Sequence, residues 1–305
     1  MSILLPILAF LLIALVAGNN LSACSGTIIG SNILSKRSGI LLTFFGYASG
    51  MLLQGSELKV SIDAIIPYRS EEFVALALFI ALVIFFIAHK KKIPQSLSVT
   101  FTGVILGIGI ATNSQINWFF IISIFVFWIA ATFFSAFFMY LLLRPTRKLA
   151  LKGHLWKKAH YIRIMLILLS FFSAFTLGAN TIGLVYSAIP NTLLNIVVLL
   201  VALLFGSFVL SAGELKTIAD KIIPIRYLNA ISSQAISTLF VETATIFGMP
   251  LSNTQTLTAS VFGAGLSYKS RLLRRKPLYE IVAVWITGIA VSLPLSFLLA
   301  KLFFT

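Results

Sequence analysis

Ten long apolar runs, separated by short polar segments, follow one another along the chain. They cover residues of about 3–34, 38–56, 73–89, 95–111, 117–143, 162–190, 192–212, 228–247, 255–268 and 278–303. At a rise of about 1.5 Å per residue, a helix of roughly 20 apolar residues crosses the hydrocarbon core of a bilayer. The runs lack the alternation of a membrane barrel, and backbone groups in lipid must bond within the protein. The pattern therefore predicts an all-α integral membrane protein with about 10 membrane segments.

Two of the runs are irregular. The first contains the polar stretch AGNNLSACSGTIIGSN at residues 17–32, and the run at 95–111 is barely long enough to span a bilayer. Such segments are typical of broken or re-entrant helices, which a membrane tolerates only where protein or a water-filled cavity covers the backbone. We therefore expect an interruption of the first helix at 17–32, lining a site. The letters LSAC at 21–24 imitate a lipoprotein cleavage motif, but the basic segment that precedes such motifs is missing, so we expect this helix to be retained.

The two halves of the chain resemble each other. GSELKVSIDAIIP at 55–67 matches AGELKTIADKIIP at 212–224, with seven identities in the last eleven positions. IPQSLSVTFTGVILGIGI at 93–110 matches MPLSNTQTLTASVFGAGL at 249–266 at nearly the same offset. Internal duplication is a recurrent architecture of membrane transporters, so the sequence predicts two repeats.

The positions of the basic residues predict how these repeats are oriented. Twenty of the 23 Lys and Arg residues fall in alternate loops, the largest being the segment 144–163 between the halves. Loops rich in Lys and Arg lie on the cytoplasmic side. If each half crosses five times, the halves have opposite orientations and both termini lie outside the inner (cytoplasmic) membrane. We expect two inverted-topology repeats, 1–143 and 164–305, joined by a basic cytoplasmic linker at 144–163.

Composition supports a membrane location and excludes several classes of protein. Hydrophobic residues make up 59% of the 305 positions and charged residues 10%, with a mean hydropathy of +1.04. The net charge of +15 follows from the cytoplasmic loops, because the basic-aromatic modules of nucleic-acid binders are missing. One cysteine, Cys24, and three scattered histidines favour neither a disulfide nor a metal cluster. No motif pairs a nucleophile with a base, so we do not expect an enzyme.

Two pairs of polar motifs recur in the halves. GNN at 18–20 pairs with GAN at 178–180, and PQSLS at 94–98 pairs with PLSNT at 250–254. A helix N-terminus presents free N–H groups and the positive end of the dipole, which together bind an anion. Proline suits the first turn of a helix. The hydroxyls expected at these helix ends are those of Ser96, Ser98, Ser252 and Thr254.

Each of these polar features also has a purely structural interpretation. A single Ser or Thr inside a span commonly bonds the carbonyl four residues back. Glycines in such segments equally serve close helix packing. The recurrence of the Pro-x-Ser arrangement in both halves favours a binding site.

Glu242, in FVETATIFG, is the acid that lies well inside an apolar run. An acid within a membrane span indicates a proton or cation site by default. The alternative is that its side chain extends to the nearby outer surface.

Taken in order, these motifs resemble the inorganic phosphate transporter (PiT) family, which also includes sulfate permeases. The resemblance covers nearly the whole chain and is most specific at GMPLSNTQTLTASVFGAGL near its end. It implies inverted repeats and the import of a tetrahedral oxyanion with Na⁺ or H⁺. The residues that would bind the anion are Asn20, Ser96, Ser98, Thr181, Ser252, Asn253 and Thr254. The candidates for cation binding or coupling are Asn19, Asn180 and Glu242.

The chain departs from the family pattern at four positions. In the family an Asp follows the Asn of both signature motifs, whereas Asn20 and Thr181 stand here. The His that ends the family's Pro-Ser-Thr-Thr-His pattern is replaced by Val99 and Gln255. The loss of two negative charges puts cation coupling by the family route in doubt. It also favours sulfate, which carries no proton at pH 7 and is matched by donors alone.

The expected function is cation-coupled secondary transport of inorganic phosphate across the cytoplasmic membrane, with sulfate as the alternative substrate. An anion channel or a non-transporting membrane protein stays open as a more distant alternative, and saturable uptake above equilibrium would exclude both. The expected partners are the anion, Na⁺ or H⁺ as the coupling ion, and the lipid bilayer. No cofactor, metal site or nucleic acid is expected, and the residues leave a homo-oligomer open.

Overall fold

The computed structural model describes residues 3–67, 70–91, 95–149, 155–210, 227–267 and 276–304. Within these ranges the chain is helical and forms no strand. The elements in chain order are α1 (Leu4–Gly30), α2 (Lys36–Gln54), a 3₁₀ turn (Gly55–Leu58), α3 (Lys59–Ile65), α4 (Glu71–Lys90), α5 (Leu97–Ala111), α6 (Trp118–Leu149), α7 (Leu155–Leu177), a π turn (Gly178–Ile182), α8 (Gly183–Ala188), α9 (Leu193–Val209), α10 (Tyr227–Ile246), α11 (Asn253–Ser267) and α12 (Lys276–Phe304). The apolar runs are therefore helices, and the predicted all-α class is confirmed.

Among the described residues, five helical segments are long and apolar enough to cross a bilayer. They are Leu4–Gly30, Glu71–Lys90, Trp118–Leu143, His160–Ala188 and Trp285–Phe304, and two shorter apolar helices are Leu97–Ala111 and Leu193–Val209. Bulky apolar side chains such as Phe119 and Phe133 of α6 point outward, which is the surface that lipid covers. The chain is accordingly a multi-pass membrane protein.

α1 runs without a break from Leu4 to Gly30 and so includes residues 17–30 of the polar stretch, which means that the predicted interruption of the first helix is wrong. Several of its polar side chains bond within the helix or to neighbouring elements, and the Asn20 amide donates to the Val16 carbonyl at 3.0 Å. Gly18 lies directly against another segment, because a Cβ there would be 2.5 Å from the Leu210 carbonyl oxygen. The small and polar residues of α1 thus reflect what packs against it, not a change in its backbone.

Hydroxyl side chains begin five of the described helices. Each side-chain oxygen accepts a hydrogen bond from the N–H of the third residue after it, which satisfies one first-turn donor. These residues are Ser35, Ser70, Ser96, Thr192 and Ser252. The expectation that proline occupies the first turn is wrong for α11, because Pro250 lies three residues before Asn253. Pro94 lies outside the described residues.

The two halves exchange helix contacts in a reciprocal pattern. α1 packs on α9 while α2 packs on α7, and α5 packs on α12 while α11 packs on α6. Matched glycines make two of these contacts. A Cβ at Gly50 would be 1.9 Å from the Phe175 carbonyl oxygen, and one at Gly206 would be 2.1 Å from the Ala14 carbonyl oxygen. Such close backbone approach is typical of helix pairs in membranes, and here it joins one half to the other.

Helices extend into both ends of the predicted basic linker. α6 continues to Leu149 and α7 begins at Leu155, which leaves 150–154 outside the described residues. The segment AGELKTIADKIIP at 212–224 also lies outside them. Its counterpart in the first half forms the 3₁₀ turn and α3.

Candidate functional site

The N-termini of the two short helices α5 and α11 lie beside each other. Ser98, in the first turn of α5, donates to the Leu251 carbonyl just before α11 at 3.2 Å. The capping oxygens are matched, because Ser96 accepts from the Val99 N–H and Ser252 accepts from the Gln255 N–H, each at 3.4 Å. First-turn N–H groups have no acceptor within their own helix. Two sets of such donors, with the positive ends of two dipoles, therefore meet at one place.

The non-helical segment before α11 is held by side chains from four different elements. Every carbonyl from residue 248 to residue 251 accepts a hydrogen bond from one of them. The donors are Ser61 of α3 to Gly248, Asn180 of the π turn to Met249, Trp128 of α6 to Pro250, and Ser98 of α5 to Leu251. Irregular backbone at membrane depth requires such complete satisfaction. The approach to α11 is therefore a fixed structure, not a loose loop.

Asn180 is the central residue of this arrangement. Its side chain is fully buried, and its amide nitrogen donates to Met249 O at 2.9 Å and to Thr245 Oγ1 at 3.0 Å. Its amide oxygen accepts from the Leu251 N–H at 2.9 Å. Both ends of the amide are thus used, so Asn180 positions the chain that leads into α11.

The π turn places Asn180 where it can reach that chain. A π turn adds one residue to a helical turn and is frequently found at functional sites. It begins at Gly178, where a Cβ would be 2.2 Å from the Tyr47 carbonyl oxygen of α2. The wide turn and the close glycine contact together direct Asn180 and Thr181 inward, where both are buried.

Asn19 and Asn20 of α1 are buried beside the approach to α5 but use their amides differently from Asn180. The Asn19 amide nitrogen donates to the Gln95 carbonyl at 3.5 Å, while its Oδ1 has no partner among the described residues. The Asn20 amide nitrogen bonds only the preceding turn of α1. α1 therefore contributes one amide oxygen that no other part of the described protein engages.

Several buried polar atoms at the start of α11 and on α10 have no hydrogen-bond partner among the described residues. At the start of α11 they are Asn253 Nδ2 and Gln255 Oε1, and on α10 they are Thr238 Oγ1 and Glu242 Oε2. An unpaired buried polar group costs about 1–3 kcal/mol, so such groups are candidates for contact with a polar ligand. The opposite end of the Asn253 amide is fixed, because its Oδ1 accepts from Ser237 at 2.6 Å.

One face of α10 contacts α1 and the π turn. Gln234 donates to the Cys24 carbonyl of α1 at 2.8 Å, and Thr245 accepts from Asn180. Thr238 and Glu242 fall between them at helical spacing, so they share this face. Glu242 is half-buried and lies one turn before Thr245. It is placed at the edge of the site and not among the hydroxyls at the helix ends.

The described residues bring no group of three acids, histidines or cysteines together that could hold a metal ion. The donors at the junction of α5 and α11 are hydroxyls, amides and backbone N–H groups, all of them neutral. Neutral donors on helix N-termini can bind an anion without a full positive charge nearby. The chemistry of the site therefore suits a small anion.

Comparison with known proteins agrees with this chemistry. A model of the phosphate transporter family matches residues 16–296. The chain belongs to the phosphate transporter family. Its relatives are transporters and not enzymes, and the family expected from the sequence motifs is confirmed.

Two curated relatives and one solved structure resemble this family member over nearly its whole length. The sulfate permease CysP of Bacillus subtilis (strain 168) is 26% identical over 300 residues, which are 94% of this chain and 84% of that protein. MJ0630 of Methanocaldococcus jannaschii, provisionally named a phosphate permease, is 23% identical over 296 residues, or 97% and 96% of the two chains. A solved structure of a sodium-dependent phosphate transporter matches with a TM-score of 0.80 at 17% identity and covers 99% of both chains.

Some of the residues predicted for this family member come together, and others stay apart. The helix-end residues Ser96, Ser98, Ser252, Asn253 and Thr254 meet where α5 and α11 begin, with Asn180 alongside. Asn19 reaches the same junction through the carbonyl that precedes α5. Asn20 and Thr181 are buried nearby, but no described hydrogen bond joins either of them to that junction.

Several residues that build the site were not predicted from the sequence. Trp128, Ser61, Thr245 and Ser237 hold the segment around the start of α11 and come from three other helices. No local motif marks them, because their partners are 16 to 187 residues away along the chain. Gln95 could have been found, since it belongs to the PQSLS motif.

Proposed function

We propose that this family member is a secondary transporter that moves a tetrahedral oxyanion, in the first place inorganic phosphate, across the cytoplasmic membrane. The observation that carries the proposal is the meeting of the α5 and α11 N-termini, joined by the bond from Ser98 to Leu251. Two helix ends provide partial positive charge and free N–H donors, which suit an anion held without lysine or arginine. The name of the M. jannaschii relative also supports phosphate.

The anion-binding residues in this proposal are those at the two helix ends and the two signature positions. They are Asn20, Ser96, Ser98, Thr181, Ser252, Asn253 and Thr254. The unpaired Asn253 Nδ2 supports a direct contact, because it is a buried donor and its Oδ1 is already fixed by Ser237. The hydroxyls of Ser252 and Thr254 lie 2.7 Å apart and share one hydrogen bond, so the proton of the accepting hydroxyl stays available for an oxyanion.

Coupling to Na⁺ or H⁺ is assigned to Glu242 and Asn19, with Asn180 in a positioning role. Glu242 Oε2 and Asn19 Oδ1 are buried oxygens with no partner in the described part of the chain. The Glu242 carboxylate can accept a proton or a cation, and the Asn19 amide oxygen can coordinate a cation. The amide of Asn180 has no free end, which argues against a direct cation contact. The structural neighbour is named as sodium-dependent, and this likeness supports Na⁺ here.

Alternating access would arise from two inverted repeats, 1–143 and 164–305, joined by the basic segment 144–163. The reciprocal packing of α1 on α9 and α2 on α7 supports this arrangement, because corresponding helices of the halves make corresponding contacts. The loop before α6 joins the end of α3, since the Asn117 N–H donates to the Ala64 carbonyl at 2.8 Å. The charge distribution makes that end of the bundle external, with both termini outside.

Sulfate is the alternative substrate, and one observation favours it. The signature positions carry Asn20 and Thr181, so neither offers a carboxylate that could accept the proton of hydrogen phosphate. Sulfate carries no proton at neutral pH and is matched by donors alone. The name of the B. subtilis relative supports this alternative.

Uptake into proteoliposomes tests the proposal. The purified protein is given labelled phosphate or labelled sulfate under an imposed Na⁺ or pH gradient, beside Asn20→Ala and Ser123→Ala. Ser123 is a matched control, because its exposed hydroxyl makes the same kind of bond to its own helix. We expect saturable phosphate accumulation that Asn20→Ala reduces at least tenfold and Ser123→Ala leaves unchanged.

The other outcomes of this experiment decide between the alternatives. Accumulation of sulfate without phosphate would establish the sulfate permease alternative. Anion flux that never exceeds equilibrium would indicate a channel. No uptake of either anion under either gradient would refute the transporter proposal.

A further inference from the structure

A pocket of about 440 Å³ opens at the end of the bundle that holds α3 and the start of α4. Its polar lining comes from the 3₁₀ turn, the first residues of α3 and α4, and the chain around the end of α8. They include Ser56, Lys59, Ser70, Glu71, Tyr186 and Asn191. The volume lies within the usual range of small-ligand sites, roughly 300–1,000 Å³. None of these residues belongs to the site at the α5 and α11 helix ends.

The pocket is separated from that site by a tight backbone contact. α8 leads from the π turn to the pocket, and its residues 183–185 lie between the two, about 4.5 Å along the helix. Within this interval a Cβ on Gly183 would be 2.9 Å from the Gly55 Cα. Ser187 also donates to the Gly55 carbonyl at 2.6 Å. The backbones therefore touch, and an anion in the pocket is held apart from the inner site.

The side chains that line the pocket include a positively charged lysine, a glutamate carboxylate and hydroxyl groups. Lys59 and Glu71 are both exposed to the pocket, and Tyr186 donates its phenolic proton to Asn191 at 3.2 Å. An anion that needs both a cationic donor and a carboxylate acceptor must itself carry a proton. Hydrogen phosphate has oxygens for Lys59 and a hydroxyl for Glu71, whereas sulfate at neutral pH offers no proton to a carboxylate.

We propose that this pocket is a second, outer binding site that takes hydrogen phosphate in preference to sulfate. The inference rests on the proposed transport function, because the pocket lies on the face that the charge distribution makes external. An anion bound there lies next to the contact between Gly55 and Gly183. These two backbone segments must separate before the anion can reach the inner site. The carboxylate that the inner signature positions lack is present here, so the preference for a protonated anion is set at the entrance.

The size of the effect follows from the exposure of Lys59. Ion pairs at the protein surface are weak, and the loss of one changes an affinity by about two- to fivefold. Because exposed charges are screened by salt, the contribution of Lys59 should fall as ionic strength rises from about 0.05 M to 0.5 M. Removal of Lys59 should therefore raise the KM for phosphate two- to fivefold at low salt and leave kcat within a factor of two.

Cysteine labelling measures binding in the pocket without transport. Ser56→Cys places an exposed thiol in the lining, while the natural Cys24 is buried and serves as the blank. We expect phosphate at tens of millimolar to slow maleimide labelling at least twofold and sulfate to leave it unchanged. This slowing of labelling by phosphate should be lost in Ser56→Cys/Lys59→Gln and retained in Ser56→Cys/Lys59→Arg. Gln115→Cys, exposed at the same end of the bundle but outside the pocket, is the matched control.

The outcomes separate this proposal from the transport function. Labelling of Ser56→Cys that phosphate does not slow would overturn the outer site, even if the wild-type protein accumulates phosphate. Equal protection by both anions would overturn the preference assigned to Glu71. Protection of Gln115→Cys to the same extent would show an unspecific salt effect and would also overturn the proposal. If the protein accumulates neither anion but phosphate slows the labelling of Ser56→Cys as expected, the outer site is supported and the transporter proposal is refuted.

Discussion

Replacement of Asn180 by alanine should destabilise the protein far more than replacement of Asn20. Asn180→Ala removes the acceptor of the Leu251 N–H and the donor to the Met249 carbonyl, both of them backbone groups inside the helical bundle. An orphaned buried polar group costs about 1–3 kcal/mol, and interhelical bonds in membranes fall toward the lower part of that range. Two such groups predict a loss of about 2–4 kcal/mol. The third partner, Thr245, keeps its own bond to the Val241 carbonyl and adds little.

Asn20→Ala is the control, because it deletes a buried side-chain amide in the other signature motif. Its amide bonds only the Val16 carbonyl, which already accepts within α1, so we expect a change of less than about 1 kcal/mol. Unfolding in detergent, followed by intrinsic fluorescence against temperature, should show Asn180→Ala several degrees below the wild type and Asn20→Ala close to it. Equal midpoints for the two variants would refute the assignment of Asn180 as a structural anchor.

Two further predictions concern packing and coupling. Gly206→Ala should abolish correct folding or lower the unfolding midpoint strongly, because its Cβ would lie 2.1 Å from the Ala14 carbonyl oxygen. Gly26→Ala is the control and should be tolerated, because its Cβ would meet only the Ser22 Cβ at 3.6 Å. Fluorescence size-exclusion profiles distinguish the two variants, and a normal profile for Gly206→Ala would contradict the packing of α9 on α1. Glu242→Gln should reduce gradient-driven uptake at least tenfold, while exchange of internal for external anion continues. The control Glu72→Gln, at an exposed acid, should change neither activity. Unchanged accumulation in Glu242→Gln would show that Glu242 has no role in coupling.

Much of the candidate site was visible in the sequence as a recurring pattern. The PLSNT motif predicted that Ser252, Asn253 and Thr254 stand at a helix end, and they do so at the start of α11. Ser96 and Ser98 occupy the corresponding place at α5. These predictions succeeded because capping is local: a hydroxyl just before a helix bonds an N–H three residues further on.

The same local reasoning failed at the first helix. Gly18, Asn19 and Asn20 suggested an interruption, since glycine and asparagine are poor helix formers in isolation. In the bundle their small size and polar ends are used by neighbouring segments, and Leu210 and Gln95 lie against them. Sequence pattern alone cannot tell a broken helix from an intact helix with a crowded, polar face, because both require the same residue types.

The sequence by itself determined the membrane location, the helices and the family, because hydropathy, capping and recurring motifs are properties of short stretches of chain; the two inverted repeats stay a prediction. Tertiary structure decided which of the repeated polar residues have their polar atoms engaged by other elements and which keep an atom available. Asn180 and Asn19 stand at equivalent signature positions, yet one has every polar atom engaged and the other keeps a buried oxygen without a partner among the described residues. That difference depends on Trp128, Ser61 and the segment before α11, which are brought together only when helices distant along the chain pack against one another.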